Sequence, residues 1–209
     1  MAKKSISLEE AYYDYVLEQG HRPVSVYQFT KSLGKPETDF YASYGSFVAL
    51  EQAIFRSYFI ETRKALEEDK TFQEYGTRER ILAILFTWLE TLKQHRSFVK
   101  FLATAESSLF DYDRYQTTTK DAFQEFVKDI LDEGTDQGEI ADRLFIPKWY
   151  KDGAWMIAKG MLDFWLKDAS EQFQKTDAYI EKTVNFWFDL IQPNALDSGF
   201  DLVKFILQR

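Results

Sequence analysis

The segment from Gly20 to Leu50 constrains the fold of this chain more than any other part of its sequence. Apolar residues recur at helical spacing on both sides of a break at Gly34, which predicts two short helices joined by a tight turn. These apolar residues are Val24, Phe29, Leu33, Phe40, Tyr41 and Tyr44. We expect Gly34 to end the first helix in the left-handed conformation and Pro36 to lie in the opening turn of the second. The pattern is that of a helix-turn-helix.

A further helix is predicted before this pair. It runs from Ile6 to Gln19 and ends at Gly20, which can adopt the backbone conformation that closes a helix. Three short helices at the N-terminus are typical of a small DNA-binding head, and we assign residues 1–50 to it.

At these residues the chain resembles the TetR family of one-component transcriptional regulators. The matching positions are Gly20, Ser25, Val26, Phe29, Leu33, Gly34, Phe40, Tyr41, Tyr44, Gly45, Ser46 and Leu50. The resemblance implies an all-α fold with a helix-turn-helix domain at residues 1–50 and a helical ligand-binding and dimerisation domain at residues 51–209. It also implies a homodimer that binds operator DNA and responds to a small apolar ligand.

The same resemblance implies which residues contact DNA. They are Lys3, Lys4, Ser25, Lys35, Thr38, Tyr41 and Tyr44. In this interpretation Lys3 and Lys4 form a basic arm, and Ser25 caps the second helix beside a phosphate. Direct contacts come from the recognition helix and the turn before it.

Several residues depart from the pattern of the family. Phe47 stands where the family carries a lysine, and the recognition helix holds the acidic residues Glu37 and Asp39. Residues 1–50 contain five basic and six acidic side chains, a net charge of −1, whereas affinity for DNA depends on cations that contact phosphates. These departures favour an alternative interpretation, a TetR-fold protein that has lost DNA binding and holds a lipid or isoprenoid. Such a protein would be similar to accessory proteins of ubiquinone biosynthesis.

Beyond Leu50 the sequence predicts one helix after another and shows no alternation typical of strands. We expect a helix over 51–69 and another from Thr77, whose apolar stripe is Ile81, Leu85, Trp88 and Leu92. Shorter apolar patterns predict one helix around Phe98 and one around Phe123 that ends near Gly134. The last three predicted helices cover 148–169, 176–192 and 197–208. With 209 residues, 45% of them hydrophobic, the chain can bury the core of one large or two small domains.

The part of the chain after Leu50 is rich in aromatic residues, which make up 17% of the whole chain. They either fill a helical core or line a cavity for an apolar ligand, since apolar pockets between bundle helices are common binding sites. The predicted ligand-binding residues are Trp88, Phe101, Phe126, Trp155, Met156 and Met161. Gly153 and Gly160 either allow another helix to approach closely or leave room beside the aromatic rings.

The helices 148–169 and 176–192 carry apolar residues on more than one face. A helix with two apolar faces needs two partners, so we predict that this pair forms the interface of a homodimer. A central helix buried within a monomer is the alternative.

Other classes of protein find little support in the sequence. The chain has no cysteine, and it shows neither a nucleophile elbow, nor a phosphate loop, nor ligand spacing for a metal, so we predict no enzyme, no metal site and no cofactor. No apolar run reaches the roughly 18 residues of a membrane span, and a cytoplasmic location is expected. The net charge of −8 argues against a general binder of nucleic acids.

Overall fold

The computed structural model describes residues 6–104, 109–142 and 147–193, and within these ranges the chain is all-α. The helices are α1 (Leu8–Gln19), α2 (Val26–Ser32), α3 (Glu37–Tyr41), α4 (Phe47–Glu68), α5 (Lys70–Glu74), α6 (Thr77–Gln94), α7 (Arg96–Thr104), α8 (Leu109–Asp136), α9 (Pro147–Lys167) and α10 (Gln174–Ile191). A short 3-10 turn, Glu171–Phe173, precedes α10. Throughout the described ranges, no helix has both the length and the apolar character needed to cross a membrane.

The chain divides into two compact units. Unit 1 contains the described residues of 1–61 and 88–122, and unit 2 contains those of 62–87 and 123–209. The domain boundary predicted at residue 50 stays a prediction. The helix predicted over 197–208 lies outside the described residues.

Local signals set the ends of the first two helices. Ser7 accepts a hydrogen bond from the backbone N–H of Glu10, so α1 begins after this cap and Ile6 lies before the helix. Gly20 ends α1 with a φ of 73°, and its backbone N–H donates to the carbonyl of Val16. The predicted end of this helix at Gly20 is therefore confirmed. The physical reason is that a residue in the left-handed conformation lets its N–H satisfy one of the last carbonyls of the helix.

Two expectations in the helix-turn-helix need correction. Pro36 was expected in the opening turn of α3 but lies one position earlier, as the residue that precedes the helix, with a ψ of 156°. Val24, part of the predicted apolar pattern, is 80% exposed. It lies in the loop before α2, outside the helical periodicity on which the expectation rested.

Helix α4 begins four residues before the predicted start at Glu51. The Ser46 side chain accepts a hydrogen bond of 3.2 Å from the backbone N–H of Ala49, which caps the helix at this earlier point. The stripe predicted on α6 is confirmed, since Ile81, Leu85, Trp88 and Leu92 are all buried.

Within unit 2, α9 packs against α10 with the glycines of α9 at the contact. A Cβ atom on Gly153 would lie 2.6 Å from Nε1 of Trp187, and one on Gly160 would lie 2.2 Å from the hydroxyl oxygen of Tyr179. Of the two roles that the sequence left open for these glycines, close approach of a neighbouring helix is the one observed.

Candidate DNA-binding head and adjoining cavity

The turn between α2 and α3 has the geometry of a helix-turn-helix. Gly34 adopts a φ of 68°, as predicted, and so ends the run of α2 in a conformation that glycine adopts without strain. Its backbone N–H donates to the carbonyl of Lys31, and the N–H of Lys35 donates to the carbonyl of Thr30 at 2.9 Å. These bonds fold the chain back so that α3 packs on α2.

Four aromatic rings hold the three helices of the head together. Phe29 of α2 contacts Tyr12, Phe40 and Phe47 in edge-to-face arrangements, with centroids 5.8, 6.4 and 5.8 Å away. Tyr12 also stacks on Phe47 at 5.3 Å. Phe47, at the position where the TetR pattern has a lysine, therefore contributes to the core of the head. Its contribution is packing rather than charge.

A buried ion pair links the head to α4. Glu51 has no exposed side-chain surface, and its two carboxylate oxygens accept hydrogen bonds of 2.9 and 3.0 Å from the guanidinium of Arg22. The hydroxyl of Tyr12 donates a third bond to the same carboxylate. Sequence reasoning did not find this cluster. The only local signal was a glutamate beside the apolar residues Leu50 and Ile54 in a helical stripe.

The outer surface of α3 carries two of the predicted DNA-binding residues. Thr38 is exposed, and Tyr41 is 55% exposed although it belongs to the apolar pattern of the sequence. Asp39 is exposed on the same short helix, and Glu37 is half-buried. A ligand that approaches this surface therefore meets a hydroxyl group, an aromatic ring and at least one carboxylate.

The remaining predicted DNA-binding residues have different surroundings. Ser25 caps α2 by accepting a hydrogen bond of 3.2 Å from the backbone N–H of Gln28. The ammonium group of Lys35 donates to the carbonyl of Ile6 at 3.3 Å, and the hydroxyl of Tyr44 donates to the carboxylate of Glu9. Lys3 and Lys4 lie outside the described residues.

A shallow cavity of about 320 Å³, widely open to solvent, lies in unit 1 beside this head. Its aromatic and charged wall consists of Glu9, Glu10, Tyr13, Tyr44, Tyr58 and His95, and small or aliphatic side chains of α4 complete it. Tyr58 stacks on His95 with centroids 4.3 Å apart, and the hydroxyl of Tyr13 lies 3.3 Å from Nδ1 of His95. The cavity thus brings together parts of α1 and α4, the residue Tyr44 after α3, and the junction of α6 and α7. Sequence reasoning did not predict it.

The protonation states in the cavity wall follow from burial and hydrogen bonding. Burial opposes ionisation of Glu9, but the hydrogen bond from Tyr44 and further bonds within the first turn outweigh it and lower its pKa. Burial and the neighbouring Glu9 raise the pKa of Tyr44 to about 12. Burial lowers the pKa of His95 despite the opposing effect of Glu61. At neutral pH the wall therefore holds an ionised Glu9, a neutral tyrosine and a predominantly neutral imidazole.

The six predicted ligand-binding residues are distributed over both units. Trp88 and Phe101 belong to unit 1, whereas Phe126, Trp155, Met156 and Met161 belong to unit 2. Trp88, Trp155 and Met161 are buried, Phe101 and Phe126 are half-buried, and Met156 is 73% exposed. None of the six lines the cavity described above. Their role in ligand binding stays a prediction.

Large apolar side chains are exposed on the last two helices of unit 2. Trp149, Met156 and Phe164 are 73%, 73% and 37% exposed on α9, and Phe186 and Leu190 are 64% and 52% exposed on α10. These helices also contact each other, so each carries one covered and one exposed apolar face.

Comparison with models of known protein families identifies the family to which this architecture belongs. Residues 80–206 match the family model of the tetracyclin repressor-like C-terminal domain. The chain belongs to the TetR family. The match covers more than half of the chain and lies entirely outside the N-terminal segment on which the resemblance in the sequence rested.

Solved structures of TetR-family proteins share the fold. A TetR-family transcriptional regulator of Syntrophomonas wolfei, described as putative, has a TM-score of 0.62 at 14% identity and covers 88% of this chain and 92% of its own. A similarly described regulator from a Rhodococcus species has a TM-score of 0.62 at 14% identity, with coverages of 92% and 100%. Regulatory protein TetR from Rhodobacter sphaeroides has a TM-score of 0.53 at 15% identity, with coverages of 88% and 96%. No curated protein is significantly similar to the chain.

The TetR fold here carries no cluster suited to a metal ion within the described ranges. No group of three or more histidine, cysteine, aspartate or glutamate side chains has a suitable arrangement among these residues.

Proposed function

We propose that the protein is a homodimeric transcriptional regulator that binds operator DNA and responds to a small ligand. The observation that carries this proposal is the helix-turn-helix of α2 and α3, whose outer surface presents Thr38 and Tyr41. In this class of domain the second helix enters the major groove, where hydroxyl groups and aromatic rings contact base edges and thymine methyl groups. Ser25, Lys35 and Tyr44 border this surface in our proposal, and Lys3 and Lys4 extend it.

A selection from random DNA duplexes tests the proposal. We expect the full chain to enrich a palindrome at about 50 mM salt, because screening of charges is still weak there and a twofold dimer presents two heads. The variant Tyr41→Ala should lose affinity for the selected sequence. Tyr75→Ala, which removes another exposed tyrosine, in unit 2, serves as the matched control and should retain it. Failure of the wild type to enrich any sequence would overturn the proposal.

Dimerisation is proposed through the exposed apolar faces of α9 and α10. Five large apolar side chains are exposed on these two adjacent helices, and large apolar patches on protein surfaces mark sites of interaction with a partner. Light scattering should therefore give a mass near twice the 24.7 kDa of one chain. The variant Phe186→Glu should yield monomers, whereas Asn185→Glu adds the same charge at the neighbouring exposed position and should leave the dimer intact. A monomeric wild type at micromolar concentration would contradict this part of the proposal.

The charge on α3 favours a second candidate, a TetR-fold protein that binds a lipid or isoprenoid and no DNA. In residues 6–50 the described cations are Arg22, Lys31 and Lys35, of which Arg22 pairs with Glu51. Under this candidate the wild type has no preferred duplex. The double variant Glu37→Ala with Asp39→Ala would then gain only weak nonspecific binding, since two repulsive charges are lost. Stabilisation against heat by fatty acids, isoprenoids or quinones, without any enriched DNA, would favour this candidate.

A further inference from the structure

We propose that the cavity of about 320 Å³ in unit 1 binds a small organic cation, an ammonium group that carries apolar substituents. The binding itself is independent of any contact with DNA. Its consequence for regulation, given below, rests on the proposed function.

The charge of the cavity wall favours a positively charged ligand. Glu9 and Glu10 line the cavity, and among the described residues neither a lysine nor an arginine does so. Lys35 does not line the cavity, although it interacts electrostatically with Glu9 while its ammonium group donates to the carbonyl of Ile6. An anion in this cavity would meet two carboxylates, whereas a cation would gain attraction from both.

The rings of the wall select the kind of cation. Tyr13, Tyr44, Tyr58 and the imidazole of His95 line the same cavity as the two carboxylates, and the hydroxyl of Tyr44 donates to Glu9. The faces of such rings carry negative potential, and they bind ammonium groups with apolar substituents better than strongly hydrated inorganic cations. The imidazole of His95 stacks on Tyr58 with centroids 4.3 Å apart and meets the ring of Tyr13 edge-to-face at 5.7 Å.

Neither helix stabilisation nor a neutral ligand accounts for the whole wall of the cavity. Glu9 and Glu10 lie in the first turn of α1, where acidic residues stabilise a helix through its dipole. That effect explains the carboxylates but not three tyrosines lining the same cavity. A neutral apolar ligand would take water from the Glu9 carboxylate without replacing its interactions, which is unfavourable.

Occupancy of the cavity would act on the helix-turn-helix. Its wall includes Tyr13 of α1, Tyr44 after α3 and Tyr58 of α4, so a bound cation contacts elements on both sides of the recognition helix. A ligand that prefers one arrangement of these elements shifts the population of heads able to bind DNA. If the proposed function holds, the cation changes operator affinity.

Calorimetric titration of the full chain with choline chloride tests the proposal, with 3,3-dimethylbutan-1-ol as the neutral molecule of the same shape. We expect choline to bind at least about tenfold more tightly than the alcohol, the ratio that 1.4 kcal/mol corresponds to. Glu9→Gln keeps the size of the side chain but removes its charge, and should weaken choline binding about tenfold. Glu18→Gln is the matched control, because Glu18 is exposed at the other end of α1 and does not line the cavity.

Tyr58→Leu tests the aromatic contribution separately. It should weaken binding of choline more than binding of the alcohol, since leucine retains apolar surface but has no ring face. Circular dichroism establishes that each variant is folded. Equal affinity for choline and the alcohol would overturn the proposal. So would absence of choline binding at about 1 mM probe, which corresponds to roughly −4 kcal/mol, or an unchanged affinity in Glu9→Gln. Absence of any enriched DNA would overturn the proposed function but would leave these titrations as the test of the cavity.

Discussion

The buried pair of Arg22 and Glu51 offers a direct test of how the head is held on α4. In the variant Arg22→Met the carboxylate of Glu51, which has no exposed surface, loses both of its guanidinium hydrogen bonds. Removing one partner of a buried ion pair costs about 3–5 kcal/mol because the other charge remains buried without compensation. The Arg22 side chain is 28% exposed, so water reaches part of the pair and we expect about 2–3 kcal/mol.

Urea unfolding followed by circular dichroism measures this loss, at one protein concentration because the protein is proposed to be a dimer. For a chain of this size the loss corresponds to a fall in Tm of about 5–10 °C. Lys64→Met is the control, since Lys64 and its partner Glu68 are 74% and 69% exposed, and an exposed pair four residues apart on a helix contributes about 0.3–0.5 kcal/mol.

A second change distinguishes loss of the charge partner from loss of packing. Adding Glu51→Gln to Arg22→Met removes the uncompensated charge, while the amide oxygen can still accept the hydrogen bond of Tyr12. The double variant should therefore be more stable than Arg22→Met alone by about 1 kcal/mol or more. The reasoning is refuted if Arg22→Met matches the Lys64→Met control, or if the two changes destabilise additively.

Two further predictions concern unit 2. Gly153→Ala should lower the free energy of unfolding by about 1–3 kcal/mol, because its Cβ would lie 2.6 Å from Nε1 of Trp187 and the buried indole or its helix must shift. Gly45→Ala is the control, since no atom lies within 4 Å of its new Cβ, and it should leave the urea midpoint nearly unchanged. Burial opposes ionisation of Asp168, but four hydrogen bonds, from the backbone N–H and hydroxyl groups of Ser170 and Thr176, outweigh it and hold its pKa well below the usual range. The pKa of Asp168 is lower in the folded than in the unfolded protein, so its contribution to stability is present above about pH 4 and is lost as the pH falls below that value. Asp168→Asn should therefore lower the urea midpoint at pH 7 and flatten the fall of the midpoint between about pH 5 and pH 3, where the unfolded carboxylate titrates. An unchanged slope of the midpoint in this acid range would contradict the assignment.

Local sequence signals were sufficient to predict the all-α fold class and several helix ends. Glycines that adopt left-handed conformations, at Gly20 and Gly34, determine where two helices end. The helical spacing of Ile81, Leu85, Trp88 and Leu92 predicted the buried face of α6, because a side chain's face on a helix depends only on its position along the chain. The family, too, could be predicted from short-range motifs in the first 50 residues.

Only the tertiary structure decided which distant side chains meet. Tyr12 and Glu51 are 39 positions apart, and Tyr13 and His95 are 82 apart, so neither the ion-pair cluster nor the cavity has a signature in the order of nearby residues. Phe47 illustrates the same limit, since the sequence marked it as a missing lysine and packing made it part of the core of the head. Partners of this kind depend on how helices cross, and that geometry is set by packing of the whole chain rather than by local propensity.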